Sequence, residues 1–100
     1  MAAVKSDIRE VTAQIAEWCD EVYPTRTASH MIVKLQHELK ELLANPMDAH
    51  EVADVAIILL DLCHYQGFDL ATIIHRKMEI NRARTWEIDK EGILNHVKTA

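Results

Sequence analysis

Glu38 and Glu41 are spaced i,i+3, and so are Glu51 and Asp54, so on helices each pair projects two carboxylates from one face. The stretch from Leu42 to His50 is just long enough to end one helix, turn at Asn45-Pro46 and begin another. An antiparallel hairpin then gathers all four carboxylates at one end. Like charges so placed cost roughly 0.2–0.5 kcal/mol per exposed pair, and more where water is excluded, so the cluster invites cations. Oxygen ligands without cysteine favour the hard ions Mg²⁺ or Mn²⁺ over zinc, and Mg²⁺ keeps waters and shares substrate phosphates. That chemistry points to nucleotides. A single i,i+3 acid pair is most often a solvated helix face, and two pairs across one hairpin shift that balance.

Lys77, Asn81 and Arg84 recur at i, i+4 and i+7, a face that can meet phosphate oxygens or, more blandly, pair with Glu79 or Glu87. Lys34 lies one turn before Glu38 and either reaches a phosphate or pairs with that glutamate. His30 lies a further turn back. With Trp18 it is a candidate contact to a base, although Trp18 is in phase with Ile15 and Val22, which favours a core position. Asp61, seven residues beyond Asp54 among apolar neighbours, reads as buried, either capping a network or joining the ligands. His64 and His75 read as structural.

The elements that must position these groups are helices. Ile8, Val11, Ile15, Trp18 and Val22 recur at steps of three and four, one stripe of a helix that begins near Ser6 and stops at Tyr23-Pro24. Met31, Leu35, Leu39 and Leu42 form the stripe of a second helix, with Thr27 or Ser29 as N-cap. Asn45 as N-cap, Pro46 at the first helical position and Asp48 in the first turn predict a third helix from about Pro46 to Gln66. Gly67 suits the left-handed residue after it. Asp69 caps a fourth helix whose apolar face is Leu70, Ile73, Ile74 and Ile80 and whose end lies near Trp86. The tail from 87 to 100 is either a short helix or a mobile arm.

The chain has 100 residues, 49% hydrophobic and only 5% aromatic, with Gly 2 and Pro 2. That is one domain, with a core over about 6–86, and too few turn residues for a sandwich or barrel. The expected fold is an all-α, four-helix antiparallel bundle. Ile57, Ile58, Leu59, Leu60 and Leu62 make the third helix apolar on nearly every side, more than a domain this small encloses, so a homo-oligomer, dimer or tetramer, is expected to complete it. A formal charge of -5 argues against nucleic acid as a partner. Val52 to Cys63 is interrupted by Asp54 and Asp61 and falls short of the roughly 20 residues of a membrane span. The first residues form no apolar signal core, so a cytoplasmic protein is expected. Cys19 and Cys63 match no disulfide or zinc spacing and read as reduced thiols.

Three segments in order sharpen the reading: Lys34-Leu35-Gln36-His37-Glu38-Leu39-Lys40-Glu41-Leu42, then Glu51-Val52-Ala53-Asp54-Val55, then Lys77-Met78-Glu79-Ile80-Asn81-Arg82-Ala83-Arg84-Thr85-Trp86. Together they resemble the ExxE…ExxD pattern and downstream Lys/Asn/Arg segment of the MazG-like all-α nucleoside triphosphate pyrophosphohydrolases. The likeness runs from about Trp18 to Trp86, and the ending looks most like the dATP/dGTP diphosphohydrolase branch of phages and bacteria. His37 stands where many members carry a second acid.

The resemblance implies hydrolysis of a nucleoside triphosphate, with purine deoxynucleotides dGTP and dATP favoured, between the α and β phosphates to monophosphate and pyrophosphate. It implies Mg²⁺ or Mn²⁺ as cofactor. Metals held by Glu38, Glu41, Glu51 and Asp54 would polarise the phosphates and lower the pKa of a water. Glu38 or Glu41 would accept its proton, and Lys77, Asn81 and Arg84 would hold the triphosphate. A rival from another class is a non-enzymatic helical interaction module with a solvated acidic face. A di-iron carboxylate bundle needs Glu-x-x-His pairs on two helices, and only Asp61-x-x-His64 comes near.

Overall fold

Asp7 opens the first helix, because its carboxylate accepts the backbone N–H groups of Arg9 and Glu10 that the first turn leaves unpaired. In the computed structural model, which describes residues 7–98, α1 spans Ile8–Val22, α2 Ala28–Ala44, α3 Ala49–Tyr65 and α4 Leu70–Ala83. The four expected helices are all present. Thr27 caps α2 in a capping box with His30.

The third helix starts later than expected. Asn45 closes α2 instead of opening α3: its N–H donates to the carbonyls of Glu41 and Leu42. Asp48 takes the cap of α3, accepting the N–H of His50 at 2.9 Å. A carboxylate at a helix N-terminus is favoured by the partial positive charge there, and Pro46 falls in the intervening turn. At the other end Gly67 adopts φ 75, and the N–H of Phe68 reaches back to the Cys63 carbonyl at 2.8 Å, the left-handed termination foreseen.

The chain divides into two compact units, the first ending at Leu70 and the second starting at Ala71. In the first, α3 packs against both α1 and α2. Ala16, Cys19 and Met31 are its buried apolar residues, beside a buried Arg26 and Asp61. Arg9 and Asp69 join the start of α1 to the segment after α3 through an ion pair at 2.8 Å. The end of the α1 stripe departs from expectation: Trp18 is 58% exposed and Val22 55%, because they form the wall of a cleft and not the core.

The second unit holds α4 and an antiparallel ribbon, β1 (Trp86–Ile88) and β2 (Leu94–His96), in the register Trp86↔His96, Glu87↔Asn95, Ile88↔Leu94. The tail is therefore neither a short helix nor an arm over the described residues. Asp89 builds the turn, accepting from the N–H groups of Glu91 and Ile93 and from the Asn95 amide, while Gly92 supplies φ 83. Those donors hold the Asp89 carboxyl below its usual range, the Ile93 N–H most of all. Trp86 belongs to the ribbon, so α4 ends three residues earlier; its indole N–H donates to the Asn81 carbonyl at 2.6 Å. No single described helix is long and apolar enough to cross a membrane.

Candidate active site

The hairpin of α2 and α3 carries the acids. With only Asn45 to Asp48 between the helices, the last turns of α2 lie beside the first turns of α3. Glu38 then meets Glu51 and Asp54: the three can each offer an oxygen within 4.8 Å of the others. Glu38 and Glu51 are half-buried and Asp54 is exposed. Burial pushes the Glu51 carboxyl up, and the nearby carboxylates of Asp48, Glu41, Asp54 and Glu38 push it the same way.

Glu41, the fourth expected ligand, is exposed and stands outside that trio, although its charge still acts on Glu51. Lys34 sits on the same face of α2 and its ammonium donates to Glu38 at 2.8 Å. That hydrogen bond holds the Lys34 ammonium above its usual range. Both readings of Lys34 therefore stay chemically available, since its side chain is 61% exposed and can exchange one anionic partner for another.

Glu38 and Asp54 form one end of a cleft of about 430 Å³ in the first unit, a size that suits a small molecule. Its walls include Trp18, Tyr23, His30, Met31 and Ile57. Tyr23 and His30 lie nearly parallel, 17° apart with ring centroids at 6.0 Å. Lys34 and His30, picked out by spacing from Glu38, and Trp18, offered as a contact to a base, thus line one space with Glu38 and Asp54. The donor set is all oxygen and partly sheltered, with the Lys34 ammonium the cation held against it, and it fits a hard divalent ion in kind and in separation.

Arg26 and Asp61 form the buried side of the cleft. The Arg26 Nε–H and Nη2–H donate to the two carboxylate oxygens of Asp61 at 2.7 and 2.9 Å. Arg26 also reaches Asp20 at 3.0 Å and the Tyr23 carbonyl at 3.3 Å, and lies 5.8 Å from the Tyr65 ring centroid. The hydrogen bond to Asp61 raises the guanidinium further above its usual range, against the opposing pull of burial. Both oxygens of Asp61 are thereby engaged in a network, and Asp61 stands outside the Glu38, Glu51 and Asp54 trio. Beside it, burial and then the Asp61 charge raise the Cys19 thiol, and both cysteines are free.

Sequence reasoning missed Arg26 and Tyr23. The signal was present in Asp61, since a lone acid inside an apolar helix demands a cationic partner, but which of the 11 Lys and Arg residues answers it is a tertiary matter.

Lys77, Asn81 and Arg84 lie in the second unit. Lys77 and Asn81 are on α4, and Arg84 follows its last residue, its N–H donating to the Asn81 carbonyl at 3.2 Å. The Asn81 side-chain oxygen is buried and accepts no hydrogen bond among the described residues.

Comparison with known proteins adds to this geometry. Residues 11–99 match the family model described as dATP/dGTP pyrophosphohydrolase. A dATP/dGTP diphosphohydrolase of Salmonella phage PMBT28 is 44% identical over 91 residues, covering 90% of this chain and 31% of that protein. The dATP/dGTP diphosphohydrolase of Cyanophage S-2L is 39% identical over 92 residues, covering 90% and 88%. The chain thus spans about a third of one relative and most of the other. Among solved structures, a Cyanophage S-2L MazG-like pyrophosphohydrolase, bound to dGDP and three catalytic Mn²⁺ ions per active site, superposes with a TM-score of 0.87 at 38% identity, over 94% of this chain and 100% of that one.

Proposed function

The chain belongs to the dATP/dGTP pyrophosphohydrolase family, and from that premise we propose that it hydrolyses purine deoxynucleoside triphosphates between the α and β phosphates. The products are a deoxynucleoside monophosphate and pyrophosphate. The observation that carries this function is the approach of Glu38, Glu51 and Asp54 to within 4.8 Å of one another at the end of an aromatic-walled cleft.

Glu38, Glu51 and Asp54 would hold Mg²⁺ or Mn²⁺, with Glu41 adding a ligand or field from the next turn of α2. When bound, such ions supply Lewis acidity toward the phosphates and toward the attacking water. A carboxylate oxygen of Glu38 or Glu41 accepts the proton as the water oxygen bonds to the α phosphorus. The bond from that phosphorus to the bridging oxygen breaks, and pyrophosphate departs with the electron pair. Lys34 exchanges Glu38 for a phosphate oxygen. Lys77, Asn81 and Arg84 are assigned to the triphosphate, offsetting charge on the departing group. Trp18, Tyr23 and His30 hold the base.

Large apolar side chains left in solvent support a homo-oligomer. Leu43 is 83% exposed and Met47 95%, at the tip of the α2–α3 hairpin, and Val52 and Leu59 of α3 are 51% and 42% exposed. A cytoplasmic nucleotide-pool enzyme without nucleic-acid or membrane partners is the corresponding cellular role. The test is incubation of the purified protein with a panel of NTPs and dNTPs plus Mg²⁺ or Mn²⁺, with the products resolved. Release of pyrophosphate and monophosphate from dGTP or dATP is expected; orthophosphate and diphosphate would overturn the cleavage position.

A further inference from the structure

His30 makes a hydrogen bond that decides its protonation pattern. Its Nδ1 lies 3.2 Å from the backbone nitrogen of Thr27, while the backbone N–H of His30 donates to the Thr27 hydroxyl at 3.2 Å. A backbone N–H can only donate, so Nδ1 must be the acceptor, and the neutral imidazole carries its proton on Nε2. The histidine at this third helical position does what a glutamine or glutamate does in a capping box, with one difference. A glutamate in its place presents only acceptors, whereas His30 has a remaining edge that is a fixed donor.

The position of that donor gives it a use. His30 lines the cleft that Glu38 and Asp54 form at another point, eight residues away along α2, or about 12 Å of helix. That separation is comparable with the reach from a phosphate to the far edge of its own base. The ring lies nearly parallel to Tyr23, and Nδ1 is turned to its own backbone, which leaves Nε2–H as the polar atom available to a bound base.

We infer that the Nε2–H of His30, locked as a donor by the α2 capping box, is a specificity-determining group that reads an acceptor on the purine edge, N7 or O6. The inference deepens the nucleotide reading above and rests on it. An acceptor at N7 is common to adenine and guanine and absent from pyrimidines, whereas an O6 acceptor singles out guanine. Either assignment makes the helix cap part of base selection.

The test compares binding of dGDP, 7-deaza-dGDP and 2-aminopurine deoxyriboside diphosphate by calorimetry with Mn²⁺ present, for wild type, His30→Gln and His30→Glu. Both variants keep the capping box, and melting temperatures check that they do. Glutamine retains a donor and glutamate does not. Wild type should bind one of the two modified bases on the order of 10-fold more weakly, the value of one neutral hydrogen bond. His30→Gln should keep most of that ratio, and His30→Glu should bring it to about one whatever its effect on overall affinity. No discrimination by wild type, or the same ratio in His30→Glu, would overturn the inference. Nitrogen NMR of the imidazole gives a check that no variant can confound: a proton on Nδ1 would also overturn it. Pyrophosphate release with unchanged ratios sinks this inference alone; a selective ratio without pyrophosphate release sinks only the hydrolytic reading; no nucleotide binding sinks both.

Discussion

Arg26 and Asp61, 35 residues apart, meet through two parallel hydrogen bonds of 2.7 and 2.9 Å, with 7% and 4% of each residue exposed. The fork geometry engages both carboxylate oxygens and ties the loop after α1 to the C-terminal part of α3. Removing one partner leaves the other charged and buried. Asp61→Ala or Arg26→Ala should therefore cost about 3–5 kcal/mol of stability, read by urea unfolding. Replacing both by apolar residues of similar volume should cost much less. A single-variant loss under about 1 kcal/mol would show the pair to be energetically idle.

The Glu51 carboxyl is raised by burial and by neighbouring carboxylates, and the sign of its effect on stability follows. The folded state holds this proton to higher pH than the unfolded chain does, so its contribution to stability falls as pH rises from the ordinary carboxylate range through the raised value. A divalent ion reverses the balance by favouring the charged form. Mn²⁺ should raise the melting temperature near pH 7, lose that effect as pH is lowered into the carboxylate range, and have little effect on Glu51→Gln. A Mn²⁺ shift of equal size in Glu51→Gln would remove Glu51 from the ligands.

Glu38, Glu51 and Asp54 stand together while Glu41 stands apart, which predicts a graded response. Groups that merely support a metal ligand cost about 10–100-fold when lost, so Glu38→Ala and Asp54→Ala should each lower kcat/KM by more than about 100-fold, without unfolding. Glu41→Ala should cost less than either. Equal or greater damage from Glu41→Ala would mean that the ligand set extends beyond the trio once ions are bound.

Trp18 offers a check on the cleft wall. A tryptophan in a core costs about 3–5 kcal/mol when cut to alanine, but this one is 58% exposed, so Trp18→Ala should cost less than about 2 kcal/mol. Its loss should instead raise KM, on the order of 10-fold if a base stacks there. A large loss of stability with KM unchanged would return Trp18 to the core.

What could be read from the chain was what neighbours along it determine. The stripes of α1 and α2, the Thr27 cap, the left-handed Gly67 and the carboxylate pairs each depend on contacts within a few residues, where periodicity and capping chemistry carry the information. Boundaries failed where two local solutions competed. Both Asn45 and Asp48 are good caps, and the choice fell to Asp48 because Asn45 was already closing α2. The ribbon after α4 was illegible because three-residue strands carry almost no period, and its turn depends on Asp89 gathering donors up to six residues away.

The sequence by itself determined the helices, their polarity and the kind of chemistry their faces could support, since 3.6-residue geometry follows from residue order alone. Only the tertiary structure decided which acids share a space, that Glu41 stands back from it, that Trp18 walls a cleft and that Arg26 answers Asp61. Those outcomes depend on how one helix is rotated and shifted against another, which is settled by packing over the whole unit and written in no single segment.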